Sequence, residues 1–590
     1  MIETKRLRIR PYTRDDFDDL YEILGDAETM KYYPRPYDEK GVDRWITWCL
    51  ASYEKRGFGL WALELKDTGE FIGDCGISMQ DIDGELLPEI GYHLNKKYWR
   101  QGYAKEASRA VKDWFFENTD FDAVYSYMNQ ANVASWATAA ANGMTRVKAY
   151  ESEEEALFVY RITREEWLKE KMRIDIRIER NRGMTIIEFY DKASIENIAG
   201  ALLCHPEQVI LIGDREKQLS SAIRLYQRIL AKNDVSTELS YRPIKKDSLQ
   251  NIYATLTEIV ESHEECVFDL TGGDELYLVA VGMIMERYKD RVNCHRFNFR
   301  NDVLTDCDAD GNVCDTGSFD ISIEDNISIY GGIMVTDDQR DFYTYPWDFN
   351  ADFERDIDVM WNICRKKPGR WNASISILGM ICEYLRLPKD ALDVSFDRET
   401  MESALDDKGF RLVDSSFMDE LRKRGLIRSL VMEDTISFSF KNEQVKQCLT
   451  IAGQVLELMV AKEMRAVLDK DGAPLYHDVK VGVVMDWDLD EEEACPTLNE
   501  IDVMAMKGSI PIFVSCKNGY FDMNELYKLH TVAERFGSKY ARKALVSTML
   551  ADFGEKTPFI RARMADMGIT GIENVDEMGD GELRKLLKTL

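Results

Sequence analysis

The sequence has no CxxC pair. Its 12 cysteines are scattered through 590 residues. That spacing argues against a zinc site and a disulfide framework and fits a reducing cytoplasm. No apolar run approaches the roughly 18 residues that span a bilayer, so no membrane segment is expected. The first 20 residues carry charge from the start, unlike a secretory signal peptide. Basic residues are in deficit, with 76 Lys and Arg against 106 Asp and Glu, a net charge of −30. Such a chain repels nucleic acid as a whole. If it acts on nucleic acid, it needs a local basic patch and metal ions. What is present is the composition of folded protein, 45% hydrophobic and 11% aromatic, with length for about three to five domains.

Chemistry is most legible in NEIDVMAMKGSIPIFVSCKNG, Asn499 to Gly519. Two apolar runs, Ile501–Met506 and Ile510–Val514, flank Lys507-Gly508-Ser509, the pattern of a β-hairpin. Glu500 and Asp502 sit at the first strand, and Lys517 follows the second, two residues after Ser515. Carboxylates are hard oxygen ligands for Mg²⁺ or Mn²⁺, and such a metal lowers the pKa of its bound water. A lysine can orient that water or stabilise developing charge. The same residues also describe a buried strand pair with a snorkelling lysine.

This hairpin resembles the core of the PD-(D/E)xK nuclease superfamily. More narrowly, it is similar to the C-terminal domain of CRISPR-associated CARF nucleases, which cyclic oligoadenylate switches on. Ser515 stands where the superfamily usually has Glu or Asp, so one carboxylate is missing. The resemblance implies a catalytic set of Glu457, Glu500, Asp502, Ser515 and Lys517. Glu457 and Asp502 would hold the metal, helped by a backbone carbonyl near Cys516. Lys517 would help activate water, and Glu500 would be a further ligand or lie just outside the ligand set. Gly453 and Glu457 match the family's first helix in IAGQVLELMVAKEMRAVLD, while Glu463, outside the match, is expected to face solvent. DVKVGVVMDW reads as the first core strand. NELYKLHTVAERFGSKYARKAL reads as two helices around Gly537. Lys528, Arg535, Lys539, Arg542 and Lys543 form a local basic cluster in sequence, read either as phosphate contacts or as a solvated helix face.

At the other end, ETKRLRIRPY alternates, DDFDDLYEIL reads as a helix, and FGLWALELKDTGEFIGDCGISM reads as two strands around an Asp67–Gly69 turn. The strand Glu89–Leu94 runs into a loop with Gly102 and Ala104, then a helix. Small residues at a helix start let backbone N–H groups approach a phosphate. A second signal follows at Asn132-Val-Ala-Ser135, where Ser135 also reads as a helix cap. Together these stretches resemble the GNAT N-acetyltransferases, specifically the ribosomal-protein-acetylating branch, over nearly all of residues 1–165. The resemblance implies an acetyl-CoA site. Arg100, Gln101, Gly102, Tyr103 and Ala104 would cradle the pyrophosphate, Leu94 would also belong to the acetyl-CoA site, and Asn132 and Ser135 would lie near the thioester and pantetheine. Glu89 would be the general base for the incoming amine. Arg100 stands where that branch usually has glycine, and AAANGM replaces the usual Glu-Lys-Gly-Phe ending.

Between these ends, residues 166–183 are dense in charge and read as a helix end and linker, with Met184 as the start of a fused second protein. From 184 to 345 apolar strands alternate with helices, the mark of a parallel, Rossmann-like sheet that binds ligands beyond its carboxyl ends. The two strand ends are Gly213-Asp214-Arg215, with Lys217 nearby, and Thr271-Gly272-Gly273-Asp274. Thr271-Gly272-Gly273 resembles the second motif of the CARF domain, which implies a cyclic oligoadenylate site. Asp274-Glu275 stands where many members carry Thr-Lys. Asp306-Cys-Asp308-Ala-Asp310-Gly311 begins like an EF-hand loop, but its twelfth position is Gly317. Its flanks HRFNFRNDV and FDISIED alternate like strands, so it reads as an acidic hairpin turn. RWNASISILGMICEYL reads as an amphipathic helix, and SSFMDELRKRGLIRSLVMEDTISFSFKN as helix, turn, strand, turn, strand, a winged-helix pattern.

The expected fold class is multidomain α/β. The domains are a GNAT-like domain at 1–170, a charged linker at 171–183, and a Rossmann-like CARF sensor at 184–345. A winged-helix-like spacer at 346–445 and a PD-(D/E)xK nuclease at 446–590 complete it. The expected function is a cytoplasmic, homodimeric, Mn²⁺- or Mg²⁺-dependent nuclease of type III CRISPR antiviral defence. Cyclic oligoadenylate would activate it, and it would cleave single-stranded RNA or DNA. Two other readings stay open: an acetyl-CoA-dependent N-acetyltransferase as the main activity, and a catalytically weak nucleotide-binding adaptor.

Overall fold

The computed structural model describes residues 1–82, 84–99, 102–130, 132–151, 156–169, 171–172, 183–190, 194–233, 235–289, 291–299, 303–306, 313–316, 319–337, 342–470, 474–487, 498–519, 521–549 and 557–590. Among these residues the strands form four sheets, of eight, seven, six and three strands. The chain divides into two units, Met1–Ile176 with Leu468–Pro474, and Arg177–Val467 with Leu475–Leu590.

In the first unit, strands Leu7–Arg10, Leu60–Leu65, Phe71–Ile82 and Glu85–Leu94 pair antiparallel in that order. Glu85–Leu94 then meets Ala123–Asn129 in parallel, at the single registered pair Glu89 and Tyr125. The helix Tyr103–Asn118 buries Ala107, Val111 and Phe115 against one face of the sheet, beside Ile77 and Ile90. The helices Phe17–Leu24 and Glu39–Arg56 cover the other face with Leu20, Val42 and Ile46. The Glu39–Arg56 helix has legible ends. The Asp38 carboxylate accepts the Gly41 N–H at 2.7 Å, and Gly57 closes the helix at φ +77°, a conformation that only glycine adopts without strain.

In the second unit, five parallel strands stand in the order Glu238–Pro243, Gln208–Gly213, Met184–Phe189, Glu265–Asp269 and Val292–Asn298. Val303–Asp306 and Val313–Thr316 extend the sheet antiparallel. The runs Ile186–Phe189 and Val209–Ile212 are buried residue after residue, as parallel strands covered on both faces must be. The edge strand Glu238–Pro243 and the helix Leu249–Ser262 escape the sequence reading, because the strand is half exposed and carries charge.

The six-stranded sheet runs Ile333–Met334, Asp478–Asp486, Leu498–Lys507, Ile510–Lys517, Arg542–Ser547 and Ile569–Glu573. Ile333–Met334, assigned above to the sensor-like segment, pairs here with Asp486 and Met485. Ile186, Leu211 and Ile327 share one apolar cluster with Met485, Phe513 and Phe536, so the two sheets have a common core. A three-stranded sheet, Asp393–Asp397, Thr435–Phe440 and Ile427–Met432, lies with the helices Ala351–Cys364, Pro368–Tyr384 and Ser415–Lys423. Its apolar residues join a cluster with Leu456, Val503 and Ile512.

Several expectations are corrected. The segment read as two helices around Gly537 is one helix, Met523–Gly537, followed by a short turn and the strand Arg542–Ser547. Ala544, Leu545 and Val546 are each at most 1% exposed, a run buried on both faces. FDISIED is not a strand. Ser322 caps the helix Ile323–Ile329 by accepting the Asp325 N–H. Glu463 does not face solvent. It is 6% exposed and pairs with Arg584 at 2.8 Å. The EF-hand-like residues Asp308, Asp310, Gly311 and Gly317, and positions 173–182 of the charged linker, lie outside the described residues.

Candidate functional site

The hairpin at the centre of the six-stranded sheet carries four of the five expected nuclease residues, Glu500, Asp502, Ser515 and Lys517. Asp502 Oδ2 accepts the Cys516 N–H at 2.6 Å and the Ser515 hydroxyl at 3.0 Å, and lies 3.4 Å from Lys517 Nζ. All three bonds fall on one oxygen, which leaves Oδ1 open among the described residues. Lys517 also pairs with Glu525 of the Met523–Gly537 helix at 2.8 Å. Despite burial, Asp502 and Glu525 hold the Lys517 ammonium well above its usual range.

Glu457 comes from the first turn of the helix Gln454–Arg465, which starts at Gly453 with φ +94°. Gln454 donates to Glu457 Oε2 at 2.7 Å. Burial, then the charges of Asp502 and Glu500, push the Glu457 carboxyl far above the usual range. Glu500, opposite Val484, is raised by burial and by Asp502, while Lys528 and Lys517 pull it down. Carboxyls pushed up by one another are what a divalent cation relieves. The open oxygens of Asp502 and Glu457 therefore fit a metal such as Mn²⁺ or Mg²⁺. Among the described residues no group of three or more His, Cys, Asp or Glu side chains is placed to hold a metal ion. The set is two carboxylates, with the backbone near Cys516 alongside.

The basic cluster expected beside this site is dispersed. Lys543 is 8% exposed and pairs with Glu534 at 2.8 Å. Lys539 pairs at 2.8 Å with Glu196, which also accepts the Tyr540 hydroxyl. Lys528, through its pull on Glu500, is the cluster member that acts on the carboxyl group.

In the parallel sheet, Gly213, Asp214 and Arg215 end one strand, with Asp214 3.8 Å from Lys246. Thr271, Gly272, Gly273 and Asp274 form the turn before the helix Glu275–Arg287, with Gly273 at φ +112°. Sequence reasoning missed what lies beneath that turn. Glu188, Asp269 and His295 stand in register on three neighbouring parallel strands, each at most 2% exposed. Asp269 accepts the Thr271 N–H at 2.8 Å and the Thr271 hydroxyl, and Thr271 Oγ1 accepts the Phe297 N–H at 2.9 Å. His295 Nε2 is 3.1 Å from Asp269 Oδ2. Burial would raise Asp269, yet His295 holds it below its usual range. Asp269 in turn holds His295 well above its own. Burial and Asp269 push Glu188 far up. A charged residue at the carboxyl end of each apolar run, in IIEF, CVFD and CHRF, was the signal available in the sequence.

In the first unit, Gly102 starts the helix Tyr103–Asn118 at φ +78°. Arg6 stacks 4.2 Å from the Tyr103 ring centroid and pairs with Glu106 at 2.6 Å. Ala104 O accepts the Ser108 hydroxyl, and Leu94 O accepts the Trp99 indole N–H. Arg100 and Gln101 lie outside the described residues. Asn132, rather than Ser135, caps the next helix, accepting the Ser135 N–H at 3.2 Å. The Ser135 hydroxyl donates to the Tyr92 hydroxyl at 3.1 Å. Glu89 accepts from Ser78 at 3.3 Å and from the Tyr127 N–H at 3.4 Å, and burial pushes its carboxyl up to about 7. That value suits a general base near neutral pH.

Residues 6–145 match the family model of the acetyltransferase (GNAT) domain. An uncharacterised protein of Bacillus subtilis, YkkB, is 34% identical over 158 residues, which are 27% of this chain and 92% of that protein. Protein VC1899 from Vibrio cholerae is 19% identical with TM-score 0.51, over 69% of this chain and 96% of that one, a likeness of fold. Can2 from Sulfobacillus thermosulfidooxidans, solved with cyclic tetra-adenylate, is 14% identical with TM-score 0.47, over 69% and 98% of the two chains.

Proposed function

We propose, from the premise that this chain belongs through its N-terminal domain to the GNAT acetyltransferase family, that its C-terminal unit carries a second centre, a metal-dependent nuclease under nucleotide control. The observation that carries the nuclease reading is the coupling of Glu457, Glu500, Asp502 and Lys517 across one helix and one hairpin. Glu457 and Asp502 would hold a Mn²⁺ or Mg²⁺ ion, with the backbone near Cys516 beside it. When bound, that ion supplies an activated water and neutralises phosphate charge. Lys517 orients the attacking water or steadies the developing charge, and Asp502 and Glu525 fix where its ammonium sits. Ser515 occupies the place of a third acid and instead steadies Asp502 by its hydrogen bond. Glu500 is a further ligand or lies just outside the ligand set.

The remaining domains follow the sequence reading. Residues 184–345 act as a CARF-type sensor, except that Ile333–Met334 joins the nuclease sheet, with 346–445 as a winged-helix-like spacer and 446–590 as a PD-(D/E)xK nuclease. Cyclic oligoadenylate binds across a two-fold pair of sensor domains at the Thr271-Gly272-Gly273 turn, where the Asp269 bonds hold the backbone ready. The ligand activates because it binds the closed pair better than the open one. The setting is cytoplasmic antiviral defence of the type III CRISPR kind, and the substrates are single-stranded RNA and DNA. The N-terminal domain transfers acetyl from acetyl-CoA to an amine. Gly102, Tyr103 and Ala104 lie at the pyrophosphate, Asn132 and Ser135 near the thioester, and Glu89 is the base.

The test is cleavage of labelled single-stranded RNA and DNA with Mn²⁺, with and without cyclic tetra-adenylate, beside Lys517→Ala. Cleavage that needs the ligand and vanishes in the variant supports both sensor and nuclease. Ligand binding without cleavage would instead favour the adaptor reading, with Ser515 as its cause.

A further inference from the structure

The turn Thr271–Asp274 carries no cation of its own. Asp274 and Glu275 follow its two glycines, both exposed, and Asp269 lies buried beneath it. A further acid stands against its side. A Cβ on Gly272 would lie 3.5 Å from Glu196 Oε2 and 3.9 Å from Glu196 Cβ. Glu196 opens the helix Glu196–Cys204, whose nine residues are all buried. That helix is pressed onto the buried pair below it. A Cβ on Gly200 would meet Asp269 Oδ2 at 2.6 Å and His295 Nε2 at 3.1 Å. Close packing therefore fixes where the Glu196 carboxylate sits.

The other Glu196 oxygen is engaged by residues of the six-stranded sheet's half. Oε1 takes the Lys539 ammonium at 2.8 Å and accepts the Tyr540 hydroxyl. The Tyr540 ring packs on Phe299 at 4.2 Å between centroids. The ion pair is lopsided, because the Glu196 side chain is 10% exposed and that of Lys539 is 65% exposed. The lysine is the partner with room to turn. Lys539 and Tyr540 close a short turn between two elements beside Lys517. Before it comes the helix Met523–Gly537, whose Glu525 pairs with Lys517. After it comes the strand Arg542–Ser547, whose Ser547 is in register with Lys517. One carboxylate thus joins the glycine turn to both elements that flank Lys517.

On the sensor reading of residues 184–345, we infer that Lys539 is a phosphate ligand of the nucleotide site, lent by the nuclease half, and that Glu196 is the anion that holds it when no phosphate does. A phosphodiester at Gly272 and Gly273 meets Glu196 as a like charge at short range. Lys539 supplies the opposite charge that the turn lacks, and an ammonium suits a phosphate as a point charge. No covalent bond forms or breaks. The ammonium exchanges one oxyanion for another. Glu196 then keeps only Tyr540, and the grip on the end of the Met523–Gly537 helix slackens. The nucleotide shifts the nuclease because it binds best once Lys539 has left Glu196.

The test is a calorimetric titration of the full chain with cyclic tetra-adenylate, beside Mn²⁺-dependent cleavage of single-stranded RNA and DNA. Glu196→Gln keeps the shape and removes the like charge, so affinity should rise about threefold or more. Lys539→Ala removes a phosphate contact made by an exposed side chain, so affinity should fall on the order of tenfold. Lys539→Arg should restore it. Glu196→Gln and Lys539→Ala break the same ion pair, so a merely structural pair would move affinity in one direction. Tyr540→Phe should leave affinity within about twofold and lower the ratio of ligand-stimulated to ligand-free cleavage about fivefold. Shifts of the same sign in Glu196→Gln and Lys539→Ala, or no shift in either, would overturn Lys539 as a ligand, while wild-type binding would leave the sensor reading standing. Wild-type protein that binds no cyclic tetra-adenylate would overturn both. An unchanged ratio in Tyr540→Phe would overturn the link to Lys517.

Discussion

Asp502 reaches across the hairpin and takes the backbone N–H of Cys516 at 2.6 Å. This bond fixes the carboxylate to the strand that carries Lys517, so acid and lysine move as one piece. Lys517→Ala should keep the fold and remove the charge. Metal-dependent cleavage should fall by about a hundredfold or more, while binding of cyclic tetra-adenylate stays within twofold. A gel assay beside a calorimetric titration reads both.

Ser515→Asp supplies the acid that the hairpin lacks. Without metal it adds a carboxyl beside Glu457, Glu500 and Asp502 in a buried site where Ser515 is 5% exposed, so Tm should fall by several degrees. With Mn²⁺ the loss should be recovered, and the metal-induced rise in Tm should exceed that of the wild type. A thermal melt with and without Mn²⁺ or a chelator measures this. An equal rise in both proteins would place the metal elsewhere.

Glu89 sets a pH dependence. Its carboxyl moves from 4.5 to about 7 in the fold, with burial as the main cause. A raised folded value means that the native state holds the proton more tightly. The associated stability is present below about 4.5 and is lost as pH rises through about 7. The full effect is on the order of 3 kcal/mol. Glu89→Gln should remove it. Relative to wild type, the variant should gain stability between pH 4.5 and 8, as followed by denaturant midpoints of the N-terminal transition.

Gly482 stands at φ +60°, and a Cβ there would lie 3.3 Å from Glu500 Oε1. Gly482→Ala should cost roughly 1–2 kcal/mol through the left-handed backbone. It should also disturb Glu500, so cleavage should drop together with Tm. Unchanged cleavage in a destabilised protein would remove Glu500 from the site.

The hairpin and the glycine turns were legible because short-range signals agree there. Two apolar runs around Lys507-Gly508-Ser509 give strands Leu498–Lys507 and Ile510–Lys517, and Gly102 begins its helix. The segment after Gly537 was misread because ARKALV carries strong helix formers. Burial on both faces of a parallel strand overrides that propensity. The basic residues nearby looked like a cluster because sequence proximity says nothing about pairing. Lys539 and Lys543 answer Glu196 and Glu534. Glu196 and Tyr540 were invisible for a different reason. They lie 344 residues apart and meet only in the folded chain.

Ile333–Met334 edges the six-stranded sheet by pairing with Met485 and Asp486, which come about 150 residues later in the chain. During synthesis that edge must wait for its partner while the intervening helices and the three-stranded sheet emerge. Once it is paired, the segment stitches the early half of this unit to the late half. A protease nick among the intervening residues should therefore leave two fragments that co-elute until they are denatured.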